Sequence, residues 1–160
     1  MFEELSGMPA HPLLVHAAVV FVPLLVLAAY GYAFVPVLRA RIGWAAALLA
    51  IVAPVTALFA KESGEAFREV MVRKNYPSEI LDRVARHQEY GERAFWFSLG
   101  LGFVTLLLLV ATSGHPRVRG LPSWVRFVLT AAVAVLGIFS AVFLFLTGDS
   151  GARAVWTGVL

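Results

Sequence analysis

Hydrophobic residues fill four long stretches of this chain, 13–38, 42–60, 94–111 and 125–147, while polar residues collect between and beyond them. A helix needs about 20 apolar residues to cross the hydrocarbon of a bilayer. The pattern therefore predicts an all-α fold, a polytopic membrane four-helix bundle forming a single domain over residues 1–160. Pro12 suits the first turn of span one, where its missing N–H costs nothing, and leaves His11 at the cap. Pro23 and Pro54 fall inside spans one and two, which is tolerated in lipid when neighbouring groups take up the freed carbonyls.

The 61–93 connection reads as helical extensions of spans two and three rather than as a loop. "KESGEAFREVMV" continues span two, "NYP" interrupts, and Ser78 is expected to cap a helix running through "EILDRVARHQEYGERAFWF" into span three. On that helix Ile80, Val84, His87, Gly91 and Phe95 recur at intervals of four, three, four and four, which is one face. His87 is thus expected to point inward. Ser98 and Gly102 make a small-xxx-small pair suited to helix packing. The chain reads as free of internal repeats and low-complexity segments.

Composition supports lipid as the solvent. Of 160 residues 60% are hydrophobic and 14% charged, against roughly 25% charged in soluble domains. Cysteine is absent, which excludes disulfides, thiolate metal ligands, iron–sulfur clusters and c-type haem attachment. The net charge of +3 comes without a basic stripe interleaved with aromatics, so no nucleic-acid partner is expected. The bilayer is the expected partner, with room for redox or other membrane proteins and for an oligomer.

Charge also orients the chain. Arg39, Arg41, Arg117, Arg119 and Arg126 lie on the side of the two short links, with no acidic residue; the other eight of 13 basic residues and all ten acidic ones lie opposite. Short basic links remain cytoplasmic, so both termini and the 61–93 connection are expected outside, in a bacterial inner membrane. Trp44 and Trp124 would mark the inner interface, and Trp96 and Trp156 the outer one.

This topology gathers ionisable residues on the outer side: His11 and His16 opening span one, Glu62 closing span two, His87 and Glu92 before span three, and Asp149 closing span four. Ionisable groups at membrane depth are costly and mark functional sites by default. Imidazole and carboxylate together suit a transition metal, with His11, His16, Glu62, His87, Glu92 and Asp149 as candidate ligands. Alternatively His16, the deepest of the set, and His87 would supply axial nitrogens to haem b. No H-E-x-x-H or paired E-x-x-H motif supports a zincin or ferritin-like site. A second reading, from another class, is a non-catalytic accessory subunit whose polar cluster only locks the helix ends. A transporter is disfavoured because no charged residue lies near the middle of any span.

"HPLLVH" at the first span, "RHQEYGE" before the third and "GDSGARAVW" after the fourth resemble a bacterial membrane family, domain of unknown function (DUF) family 2231. The resemblance covers most of the chain and implies its topology and candidate positions. It also implies a redox setting, because some relatives are joined to a Rieske-type iron–sulfur domain. Relatives often carry Phe-Pro where this chain has Ala17 and Ala18, and many carry histidine where Asp149 stands.

Overall fold

A computed structural model describes residues 4–5 and 8–156, with side chains described from Ala10 onward except at Val155. Glu4–Leu5 (β1) and Met8–Pro9 (β2) form a two-residue antiparallel ladder at the N-terminal edge. Four helices make up the rest: α1 Ala10–Phe34, α2 Arg39–Arg73, α3 Ser78–Thr112 and α4 Ser123–Trp156. Each is long and apolar enough to cross a membrane. Together they form an all-α four-helix membrane bundle. α1 and α3 each pack on both α2 and α4 and touch one another across the diagonal.

The helix ends differ from expectation in ways local chemistry explains. α1 begins at Ala10, so His11 lies inside its first turn rather than at the cap. It stops at Phe34, since Val35 precedes Pro36 and the α conformation is disfavoured there; a 3₁₀ turn, Pro36–Leu38, follows. Arg39 then donates from Nε to the Tyr32 carbonyl (3.0 Å) and from Nη2 to that of Ala33 (3.2 Å), meeting carbonyls α1 leaves open. Pro77 takes the N-cap of α3, Ser78 is its first helical residue, and no side chain caps it. Ile80 is exposed, so the inward stripe of α3 begins at Val84, half-buried a turn later. α4 runs nine residues past the expected boundary, carrying "GDSGARAVW" as helix.

Alanines stand among the buried residues at the centre of the bundle, beside Leu25, Leu101 and Leu108, while many large apolar side chains face outward. Ala18, Ala29, Ala46, Ala50 and Ala53 are buried in the cores of α1 and α2, while Phe103, Phe127 and Phe145 are 62%, 73% and 73% exposed. Without a hydrophobic gradient between helix and lipid, small residues drive packing by letting backbones approach. Gly102 illustrates this: a Cβ there would fall 2.4 Å from the Ala50 carbonyl oxygen. Trp44 and Trp124 are exposed near one end of the bundle. Trp96 and Trp156 do not share a level at the other. Trp96 follows His87 by nine residues toward the middle of the bundle, and Trp156 lies six beyond Ser150, about 14 and 9 Å along their helices in opposite senses.

A paired-imidazole site at one end of the bundle

His11 stands in the first turn of α1, and its Nδ1 lies 3.1 Å from the Ala60 carbonyl and 3.1 Å from Ser63 Oγ, both on α2. A carbonyl only accepts, so Nδ1 carries the proton and donates. Ser63 Oγ in turn donates to the Ala60 carbonyl (2.9 Å), the back-bond open to a serine inside a helix. The ring rests above Gly64, where a Cβ would meet its Cε1 at 3.1 Å, and stacks on Phe67 with centres 6.5 Å apart.

His87 repeats the arrangement in the other half of the bundle. From α3 its Nδ1 donates to the Thr147 carbonyl (3.0 Å) and to Ser150 Oγ (3.2 Å), both on α4. Ser150 Oγ donates to the same carbonyl at 3.1 Å. The ring lies over Gly151, where a Cβ would meet its Cε1 at 2.9 Å. Across the diagonal the two imidazoles meet, with ring centres 6.0 Å apart and planes inclined by 76°. Both are half-buried. With each Nδ1 committed to a carbonyl, the lone pair of each neutral ring resides on Nε2, the tautomer in which imidazole serves as a ligand.

The remaining candidates do not converge on this pair. His16, expected to partner His87, is exposed, and its Nδ1 donates to the Pro12 carbonyl of its own helix. Five residues along a helix turn the side chain by about 140°, so His11 and His16 cannot share a face. Glu62 pairs with Lys61 at 3.3 Å and Glu65 with the same lysine at 2.6 Å. Asp149 pairs with Arg153 at 2.9 Å on its own helix, and Glu92 is exposed. Among the described residues no group of three or more His, Cys, Asp or Glu side chains is placed to hold a metal ion. Of the six candidate ligands the structure brings His11 and His87 together, with two serines and two glycines behind them. Sequence reasoning missed Ser63, Ser150, Gly64 and Gly151. The available signal was the tripeptide acid-Ser-Gly, present as Glu62-Ser63-Gly64 and Asp149-Ser150-Gly151.

Four apolar helices, closed by small residues and bearing a polar cluster at one end, define a four-helix integral membrane protein whose surroundings are the lipid bilayer. The family model described as predicted membrane protein (DUF2231) matches residues 7–160, and the chain belongs to that family. No curated protein and no solved structure matches the chain.

Proposed function

We propose that this chain is a single four-span domain of a bacterial inner membrane, holding a transition metal between His11 and His87 in a redox or envelope role. The metal is either a free ion or the iron of haem b. One observation carries the reading: two imidazole rings 6.0 Å apart, each with Nδ1 tied to a helix carbonyl. Hydrogen-bonded Nδ1–H groups orient imidazole ligands and raise their basicity. Two protein nitrogens leave a metal's other positions to water, a macrocycle or a partner, so Glu62, Glu92, Asp149 and His16 are not required as ligands. Absorption spectroscopy and metal analysis of detergent-purified protein test this. A Soret band or about one metal per chain is expected, and a colourless, metal-free protein would contradict it.

The same hydrogen bonds favour a second reading, a non-catalytic accessory subunit. Each histidine joins the two helices of its own hairpin, a structural contribution of about 0.5–1.5 kcal/mol per bond. Loss of stability in His11→Ala and His87→Ala, with no bound species in the parent protein, would select this reading.

The end carrying the histidines is placed outside the cytoplasm on the charge argument, because the opposite links carry arginines without acids. Single cysteines at Glu69 and Arg117 report it. An impermeant thiol reagent added outside is expected to label E69C and spare R117C, and the reverse would overturn the orientation.

A further inference from the structure

We infer that the chain is one helical hairpin present twice, and that the paired-imidazole site on the twofold axis between the copies takes a metal atom with two roughly opposite open positions. The ligand half of this inference rests on the metal reading above; the duplication does not. Aligning His11 with His87 in sequence matches α1 to α3 at a shift of 76 residues, and five buried positions of α1 then fall on buried positions of α3. Ala18 falls on Ala94, Val22 on Ser98, Leu25 on Leu101, Ala29 on Thr105 and Tyr32 on Leu108, all buried. Superposing Ser63 on Ser150 carries α2 onto α4 by 87 residues. Ala46 then falls on Val133 and Ala53 on Ser140, four residues of 0% exposure.

The side-chain chemistry repeats more closely than the sequence. Each histidine bonds a carbonyl and the serine three residues beyond it, and each ring covers the glycine after that serine. The would-be Cβ atoms of Gly64 and Gly151 lie at 3.3 and 3.2 Å from Nδ1 and at 3.7 Å from Nε2 in both copies. The packing follows this pairing only approximately: α1–α2 and its counterpart α3–α4 pack to a similar extent, while α2–α3 packs more closely than its counterpart α1–α4. α1 and α3 run in the same direction, so the axis lies along the bundle, as in membrane proteins built from parallel repeats. This corrects the expectation that no internal repeat exists. The repeat is carried by burial and by acid-Ser-Gly rather than by residue identity along the spans.

The axis and the spacing together select the ligand. A metal on a twofold axis sees two equivalent nitrogens. With metal–nitrogen bonds of about 2 Å and about 1.1 Å from nitrogen to ring centre, a tetrahedral ion would draw the ring centres to about 5 Å, whereas opposite ligands hold them at about 6 Å. With both Nε2 atoms turned toward the axis, the observed 6.0 Å is the wide-angle spacing. Opposite positions are those a planar macrocycle leaves on its iron, and those a two-coordinate ion uses. Ser63 and Ser150 are the positioning residues, setting each ring through Nδ1.

The full chain in detergent, offered haem b, copper(I) and cobalt(II) in turn, tests the ligand. Either a haem spectrum of two-histidine type or retained copper(I) is expected. His11→Ala and His87→Ala should each weaken binding at least tenfold and to the same degree, with recovery on adding free imidazole. Ser63→Ala and Ser150→Ala, milder changes, should weaken it equally by a few-fold if either alanine at histidine fails to fold. Intense tetrahedral cobalt(II) bands, or a loss confined to one histidine, would overturn the inference. Ring-nitrogen NMR of the ligand-free chain tests the duplication separately: Ser63→Ala should shift only His11 Nδ1, and Ser150→Ala only His87 Nδ1, by similar amounts. Equal NMR shifts with no ligand bound would leave the duplication standing and remove the metal. Unequal shifts would remove the duplication.

Discussion

Alanine at Gly102 is expected to destabilise the bundle by about 1–3 kcal/mol, the cost of forcing volume into a packed interior, and leucine there to prevent α2 and α3 from closing. A Cβ at this position would lie 2.4 Å from the Ala50 carbonyl oxygen and 3.1 Å from Pro54 Cγ. Neither neighbour is the free end of a flexible side chain, so relief requires the helices to separate. The pairing has a cause in sequence. Pro54 has no N–H to offer the carbonyl four residues earlier, which is that of Ala50, and Gly102 brings its own backbone against that freed oxygen. Gly100 provides the control, since a Cβ there would make ordinary contacts of 3.5 and 3.7 Å with Leu136. Thermal unfolding in detergent should show a large loss for Gly102→Ala and little change for Gly100→Ala. Equal melting shifts would contradict the assigned approach.

On the proposed reading, replacing His11 by alanine should cost the purified protein its metal or haem, whereas replacing His16 should leave it in place. His16 is exposed and bonds only within its own helix, while His11 faces His87 at a centre-to-centre distance of 6.0 Å. His16→Ala is also expected to change stability by no more than about 0.5 kcal/mol, as for surface substitutions away from special features. His11→Ala leaves Ser63 Oγ without the Nδ1 donor and opens space above Gly64. Metal content and melting temperature of the two purified variants separate them. Retention of the ligand in His11→Ala, or its loss in His16→Ala, would reverse the assignment.

The four helices were legible because hydrophobic length is a one-dimensional signal, and the helical reading of 61–93 followed from its periodicity. His87 was placed on the inward stripe correctly, by its spacing from Val84 and Gly91. The choice between His11 and His16 was not legible by the depth argument used. Depth favoured His16, but the facing of a residue depends on helix rotation, and rotation follows from how α1 packs on α2. Where α1 begins also mattered, because a start at Ala10 makes His11 part of the helical turn over Ser63. Glu62 and Asp149 looked like ligands because they are acids at a helix end. In the structure they pair with Lys61 and Arg153 on their own helices. The serines behind the histidines had no signal as isolated residues. Only the recurrence of acid-Ser-Gly, with a histidine on the preceding helix each time, picks them out.

The most direct measurement is X-ray absorption at the edge of any metal that copurifies with the protein from its native membrane, analysed for imidazole scattering. Two imidazoles per metal are expected in the parent chain, one in His87→Ala reloaded with that metal, and two in His16→Ala. A metal surrounded by carboxylate oxygens alone, one bound by a single imidazole in the parent chain, or a chain that carries no metal would contradict it.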